Sequence, residues 1–237
     1  EGNLAKAEKQ SLVYTKQEAE ELVYNKVIVP RAGEYSLTLS DGTRVWLNSD
    51  SEIRYPVAFG KDRRTVFLSG EAYFEVEKDA ERPFYVVLDG MEVKVYGTSF
   101  NVNTHYQGKI LTTLVEGKVG IRVKSTGAES ILRPNQMAEF NCEKEEVEVT
   151  DVDPYYYTAW RAGEFVFQNE TIEEIMDRLC RWYDMEVFYA NNDVRGKRFT
   201  GVIARFTNVA DVLHLIGETA TVQFNLKGDV ITVSDSR

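Results

Sequence analysis

Apolar and polar residues alternate in short runs through the first two thirds of the chain. The clearest alternation flanks the dipeptide Asp41-Gly42, with Leu37 and Leu39 before it and Val45 and Leu47 after it. An Asp-Gly pair between two alternating runs is a strong hairpin signal, because both residues are expected to adopt positive φ. We therefore predict a β-hairpin with Trp46 on the face opposite Val45 and Leu47.

The alternation continues to Val149, and glycines interrupt it at regular intervals. Tyr55-Pro56 is expected to end the second strand of the hairpin, since proline cannot donate to a strand ladder. Short strands at this spacing, with little helical periodicity, predict a mainly β domain over residues 27–150. The pattern fits an antiparallel sandwich or roll, or a solenoid-like fold.

The last third of the chain changes to helical periodicity between short strand patterns. Thr171 and Glu174 have the spacing of a capping box, and Asn208 with Asp211 marks a second helix start. Each start precedes an apolar stripe: Ile172, Ile175, Met176, Leu179 and Tyr183 in one helix, and Val209, Val212, Leu213 and Ile216 in the other. We predict a small α+β domain with two βαβ-like units, in which one sheet carries both helices on one face.

These patterns divide the chain into four segments. Residues 1–26 form a polar lead-in in which "KQEAEELVYNK" suggests a short helix. The β domain follows over 27–150, a Pro- and Tyr-containing connector over 151–163, and the α+β domain over 164–237. The chain begins at Glu1 without a Met or a leader, so we expect residues to precede it, with room for a membrane anchor.

Charge and hydropathy exclude several classes of function. The formal net charge is −10 and no block is rich in Lys or Arg, which argues against binding to DNA, RNA or an anionic membrane. No run of apolar residues is long enough to span a bilayer. Two cysteines, Cys142 and Cys180, make no disulfide scaffold, and we expect two unlinked thiols.

Signatures of catalysis are scarce. No HExxH, CxxC, GxSxG or Walker-type motif occurs, and the two histidines, His105 and His214, have no metal-ligand spacing, so we expect no metal, no cofactor and no enzyme. Glu71 and Glu75 share one face of a predicted strand and could form a glycosidase-type pair. The simpler interpretation places both on a solvent-exposed face opposite Ala72, Phe74 and Val76.

Aromatic residues offer a binding surface instead. Trp46, Trp160 and Trp182 with thirteen tyrosines could form a platform for sugar or peptide. Arg181, Trp182 and Tyr183 cluster at a predicted helix end, and since Trp182 and Tyr183 should point to different sides, at least one should lie at an interface. We predict partner-binding residues near this helix end and the following strand: Trp160, Arg181, Trp182, Phe199 and Val202.

The motifs of the β domain resemble the FecR family of transmembrane anti-sigma regulators. The resemblance rests on "LSDGTRVWLNSDSEIRYP", "VFLSGEAYFEVEKDAERPFYV", "VYGTSFNVNTH" and "LTTLVEGKVGI". The segment "WRAGEFVFQNETIEEIMDRLCRWYDMEV" is similar to the C-terminal domain of Bacteroidetes-type members. The resemblance covers residues 26–237, and its motifs occur in the family's order.

Membership would imply a role in transmembrane signalling. The resemblance implies a region on the periplasmic face of the inner membrane that receives a signal from the signalling domain of an outer-membrane TonB-dependent transporter. An extracytoplasmic-function sigma factor would be bound only through a cytoplasmic segment absent from this sequence. Two other classes stay open: a periplasmic glycan-binding module or glycosidase, and a structural oligomer.

Overall fold

The computed structural model describes the main chain of residues 6–8 and 11–13 and all of residues 23–236. The chain forms two compact units, Glu1–Pro154 and Tyr155–Arg237. Residues 23–236 are mostly β, with 49% strand and 17% helix. The predicted fold class, a mainly β region followed by a small α+β region, is confirmed.

Unit 1 contains two large sheets. The first has the order β1-β2-β4-β5-β8-β11-β12-β15-β16 and the second β14-β13-β10-β9-β7-β6-β3. Their inner faces share one apolar core, so unit 1 is a β-sandwich, antiparallel apart from the parallel pairs β2–β4 and β7–β9. The strands are β1 (Lys6–Glu8), β2 (Ser11–Val13), β3 (Tyr24–Val29), β4 (Tyr35–Thr38), β5 (Arg44–Leu47), β6 (Ser51–Pro56), β7 (Arg64–Ser69), β8 (Glu71–Glu75), β9 (Phe84–Val87), β10 (Met91–Val95), β11 (Ser99–Asn103), β12 (Lys109–Glu116), β13 (Val119–Val123), β14 (Glu129–Leu132), β15 (Gln136–Asn141) and β16 (Glu146–Asp151).

The predicted short helix of the lead-in falls mainly outside the described residues. Its last part, from Tyr24 to Lys26, belongs to strand β3.

The Asp41-Gly42 hairpin forms between β4 and β5, with one correction to its turn. Gly42 alone of the pair has positive φ, at 92°, and its N–H donates to the Leu39 carbonyl at 3.0 Å. Asp41 is the third residue of the turn that this bond closes and keeps negative φ, and its carboxylate accepts a hydrogen bond from the Thr43 N–H at 3.0 Å. Trp46 is half-buried on the face opposite the fully buried Val45 and Leu47, as predicted.

The segment after the hairpin crosses between the sheets. β5 ends at Leu47 in the nine-stranded sheet, and Tyr55-Pro56 ends β6 in the seven-stranded sheet, so the prediction that they close the hairpin's second strand is wrong. Asn48 stabilises the crossing, since its Oδ1 accepts from the Ser49 N–H at 2.9 Å. The return crossing takes a single residue, Gly70, between β7 and β8.

Glu71 is buried next to this second crossing, with 8% of its surface exposed. Its carboxylate accepts hydrogen bonds from the side-chain amides of Asn48, at 2.7 Å, and Asn101, at 3.0 Å. The prediction of a solvent-exposed Glu71 is therefore wrong: one amide from the crossing segment and one from β11 replace its hydration. Glu75 remains partly exposed and forms an ion pair with Arg44.

Unit 2 is built around two longer helices. Its elements are α1 (Tyr155–Thr158), a 3-10 helix (Ala159–Ala162), β17 (Glu164–Thr171), α2 (Ile172–Tyr183), β18 (Glu186–Tyr189), a 3-10 helix (Asp193–Gly196), β19 (Arg198–Ala204), α3 (Val209–Ala220), β20 (Val222–Lys227) and β21 (Val230–Asp235). The predicted single sheet is wrong, because β17 pairs with β19 while β18, β21 and β20 form a second sheet. Both helices contribute their predicted stripes to one core with residues of both sheets.

The capping box at the start of α2 forms as predicted. Thr171 Oγ1 accepts from the Glu174 N–H at 3.2 Å, and the Glu174 carboxylate accepts from the Thr171 N–H at 2.8 Å. We expect Thr171→Ala to lower the free energy of unfolding of unit 2 by about 1 kcal/mol, because one main-chain donor loses its partner. Thermal unfolding followed by circular dichroism measures this, and Thr171→Ser, which keeps the hydroxyl, should stay near wild type.

Two further findings concern the cysteines and the helices of the described residues. Cys142 and Cys180 are free thiols, the first exposed and the second buried. Among residues 23–236, no helix has the length and apolar character needed to cross a membrane.

Candidate docking surface

An exposed apolar pair marks one side of unit 2. Val202 on β19 has 57% of its surface exposed, and Phe206, just beyond the strand, has 73%. Alternation along the strand turns Val202 away from Phe199 and Ile203, which point into the core. Large apolar side chains exposed together on a small domain are typical of a protein-binding surface. We call Val202 and Phe206, with the Trp182 ring that packs against Phe206, the β19 patch.

The Phe206 ring rests on two supports. It meets the Trp182 ring edge to face, with 5.6 Å between the ring centroids. Gly163 lies beneath it, where a Cβ would come within 3.0 Å of the phenyl ring. Phe206 is therefore held in an outward position by packing, which lowers the entropy cost of presenting it to a partner.

Arg205 points inward and fixes the end of β19. Only 1% of its surface is exposed, and its guanidinium carbon lies 3.7 Å from the centroid of the Trp182 ring. Its Nη1 donates to the Trp160 carbonyl at 3.0 Å, and the ring of Phe165 lies 5.4 Å away. Cation–π attraction to these rings offsets part of the cost of burying the guanidinium.

Trp182 and Tyr183 both donate to the main chain at this point. Trp182 Nε1 donates to the Arg205 carbonyl at 2.7 Å, and the Tyr183 hydroxyl donates to the carbonyls of Arg205, at 3.1 Å, and Thr207, at 2.7 Å. Burial raises the pKa of the Tyr183 phenol, so the hydroxyl stays protonated and able to donate. Both side chains reach this one segment, so a partner interface at either of them remains a prediction.

The predicted partner-binding residues separate into buried and accessible ones. Trp160 and Phe199 have 6% and 8% of their surface exposed and belong to the interior. Arg181 and Trp182 are half-buried, and Val202 is exposed. Burial removes Trp160 and Phe199 from any surface that a partner could contact without rearrangement, so a docking role remains a prediction for the other three.

Sequence reasoning missed Phe206 and Arg205. Phe206 could have been found by extending the period of two from Val202, which places residues 202, 204 and 206 on one face. Arg205 gave no such signal, since an arginine at an inward position is rarely fully buried. The rings that surround it come from Trp160, Phe165 and Trp182, three separate elements.

The residues considered for catalysis are engaged elsewhere. Glu71 accepts hydrogen bonds from two side-chain amides, and Glu75 forms an ion pair with Arg44. Both carboxylates therefore have structural partners, which argues against a glycosidase-type pair. His214 is exposed on α3, and a ring nitrogen of His105 lies 3.2 Å from the Ser49 carbonyl. In the described part of the chain, no group of three or more His, Cys, Asp or Glu side chains is arranged to hold a metal ion.

The two units together define a class of protein, a β-sandwich followed by a small α+β unit with an exposed apolar surface. The family described as FecR protein matches residues 25–120, and FecR, C-terminal, matches residues 164–233. The chain belongs to the FecR family of anti-sigma regulators, whose members are regulatory and membrane-associated.

Solved structures with the same architecture agree with this assignment. Two crystal structures, at 1.65 Å and 2.50 Å resolution, are described as a "putative anti-sigma factor" from Parabacteroides distasonis ATCC 8503. Each is 28% identical to this chain and is covered completely, over 90% and 91% of this chain, with TM-scores of 0.81 and 0.82. No curated protein matches the chain.

Proposed function

We propose that this chain is the periplasmic signal-receiving region of a membrane-associated anti-sigma factor. It binds the signalling domain of an outer-membrane TonB-dependent transporter and relays that contact across the inner membrane to an extracytoplasmic-function sigma factor, thereby regulating transcription. The β19 patch is the contact point, and the observation that carries this placement is the outward, supported position of Phe206.

The chemistry of the patch suits a protein partner. Interfaces concentrate their energy in a few aromatic anchors that fill a pocket on the other side. Phe206 at 73% exposure is such an anchor, and Val202 widens the apolar contact. The half-buried Trp182 packs against Phe206, so this anchor needs little rearrangement to bind.

Strand addition offers a second source of affinity at the same place. β17 and β19 form a two-stranded sheet, so β19 has one main-chain edge that no described strand covers. An extended segment of the partner that pairs with this edge would run beside Val202, and main-chain hydrogen bonds would add to the Phe206 contact. A small, transient interface is sufficient for a signalling contact.

Phe206→Ala should weaken binding of the transporter's signalling domain by about thirtyfold, the effect of removing an aromatic anchor worth about 2 kcal/mol. Isothermal titration calorimetry with the full chain measures it. Phe188→Ala is the matched control, because Phe188 is 62% exposed on β18, which is in the other sheet of unit 2. Equal affinities for wild type and Phe206→Ala would place the docking surface elsewhere.

A glycan-binding module or glycosidase is the weaker alternative. Trp160 is buried and Trp182 is covered by Phe206, so neither presents an open ring face to a sugar. Trp46 is half-buried and meets Tyr73 edge to face, with centroids 5.9 Å apart. A glycan array with the purified chain would reveal this activity directly.

A further inference from the structure

The outer face of the seven-stranded sheet carries a row of aromatic and basic side chains. Across neighbouring strands, Lys26 pairs with Arg54, Arg54 with Phe67, and Lys94 with Tyr85. Directly opposed residues share a face of the sheet. The intervening residues, such as Ile53 and Val93, are fully buried on the inner side. We call this surface the aromatic–cation face: Tyr24, Lys26, Arg54, Arg63, Phe67, Tyr85, Lys94 and Tyr96.

Aromatic rings hold the cations of this face. The Arg54 guanidinium carbon lies 3.9 Å from the centroid of Phe67 and 4.7 Å from that of Tyr24. Lys94 Nζ lies 5.8 Å and 5.4 Å from the centroids of Tyr85 and Tyr96. Ring contact orders a cation without neutralising it, so the positive charge stays available to an anion.

Two carboxylates of the outer face pair with cations other than Arg54 and Lys94, and a third, Glu129, lies opposite Arg122. Glu52 binds Lys26 at 2.7 Å, and Glu92 lies 3.9 Å from Arg122. Arg54 and Lys94 are thus two cations, held by rings, on a chain whose net charge is −10. Arg63, 6.0 Å from the Tyr85 ring, adds a third at the margin.

The geometry favours a flat anionic partner over a sugar. Cations already cover ring faces that a pyranose would need for stacking, at Tyr24 and Phe67. The row crosses adjacent strands of an open sheet at about 4.8 Å per strand, so its charges are spread over a plane. Tyrosines beside Lys and Arg form the combination that proteins use where a membrane meets water.

The acidic net charge does not prevent such a contact. Electrostatic interactions are screened over about 8 Å at physiological ionic strength, and the packed sheets of a sandwich lie about 10 Å apart. For an anionic surface at the aromatic–cation face, attraction to the cations of this face is therefore stronger than repulsion by the acidic groups on the far sheet.

We infer that the aromatic–cation face binds the headgroups of anionic phospholipids and holds unit 1 against the membrane surface. The inference uses the membrane association of the family and is independent of the β19 patch. Arg54 and Lys94 contact lipid phosphates, and the exposed tyrosines lie at the headgroup level.

Sedimentation with lipid vesicles tests this assignment. The full chain should bind vesicles containing phosphatidylglycerol, should bind phosphatidylcholine vesicles far less, and should be released by salt. Loss of one basic residue near an anionic surface lowers the partition coefficient about fivefold, so Arg54→Gln with Lys94→Gln together should lower it about thirtyfold. The matched control is Lys144→Gln with Lys109→Gln, which removes the same charge from exposed positions of the nine-stranded sheet.

Each other outcome overturns the inference. Equal binding to both kinds of vesicle, or no binding to either, would exclude recognition of anionic lipid. An equal loss in the control variant would show that net charge, rather than this face, controls binding. Circular dichroism of each variant confirms that the sheet is intact.

Discussion

Asp41→Asn should destabilise unit 1 by about 3 to 5 kcal/mol, the cost of leaving a buried charge without its partner. The Arg64 side chain is fully buried, and its Nη1 lies 2.7 Å from the Asp41 carboxylate, whose side chain is 5% exposed. Arg64 is also tied to the carbonyls of Glu77, at 2.8 Å, and Arg82, at 2.9 Å. It therefore cannot reach water when the negative charge is removed.

The same carboxylate also shapes the hairpin. It accepts from the N–H and the hydroxyl of Thr43, at 3.0 Å and 2.8 Å, so Asp41 links the turn to strand β7. Urea unfolding followed by far-ultraviolet circular dichroism measures the loss. Glu52→Gln is the control, since it breaks an exposed pair with Lys26 and should cost less than about 1 kcal/mol. A change of similar size in both variants would refute the importance of burial.

Gly70→Ala should be comparably damaging, with a loss of about 3 kcal/mol or more from backbone strain and overpacking together. Gly70 connects β7 to β8 across the two sheets and has a φ of 100°. A Cβ at this position would come within 2.6 Å of the Ser51 Cα, a main-chain atom that cannot move aside. Ser51 itself is fixed, because its hydroxyl accepts from the Glu71 N–H at 2.8 Å.

Gly127→Ala separates strain from packing. Gly127 also has positive φ, at 70°, but no atom lies within 4 Å of the position of its Cβ. Alanine there should lower the free energy of unfolding by only about 1 to 2 kcal/mol, the cost of the left-handed conformation. The same urea titration compares the two variants. Equal losses would mean that the close approach to Ser51 contributes nothing.

Local patterns predicted most of the elements. Alternation correctly placed Val45 and Leu47 opposite Trp46, and helical periodicity correctly placed Ile175 and Leu179 in a core. These predictions succeed because burial of one face repeats with the period of the element itself. The capping box at Thr171 is also local, since its partners are three residues apart.

Long-range pairing could not be predicted in the same way. Alternation shows which face of a strand a residue lies on, but it does not show which sheet the strand joins. The change of sheet between β5 and β6 could therefore not be predicted from the sequence pattern. The burial of Glu71 depends on Asn48 and Asn101, which are 23 and 30 residues away in sequence.

The predicted partner-binding residues show the same limit of local sequence patterns. Phe199 and Val202 are separated by an odd number of positions on one strand, so they point to opposite faces. The period of two could have excluded one of them, but only the structure shows which is buried. The ring stack at Arg205 combines residues from three elements, and no local pattern encodes it.

Hydrogen–deuterium exchange of the full chain, with and without the transporter's signalling domain, tests the docking claim most directly. Exchange reports which main-chain amides a partner covers, and β19 has an edge that no described strand covers. We expect slower exchange over residues 198–206 when the domain is bound, with unit 1 unchanged. Saturating binding that protects unit 1 or the β18 edge, and leaves β19 unaffected, would contradict it.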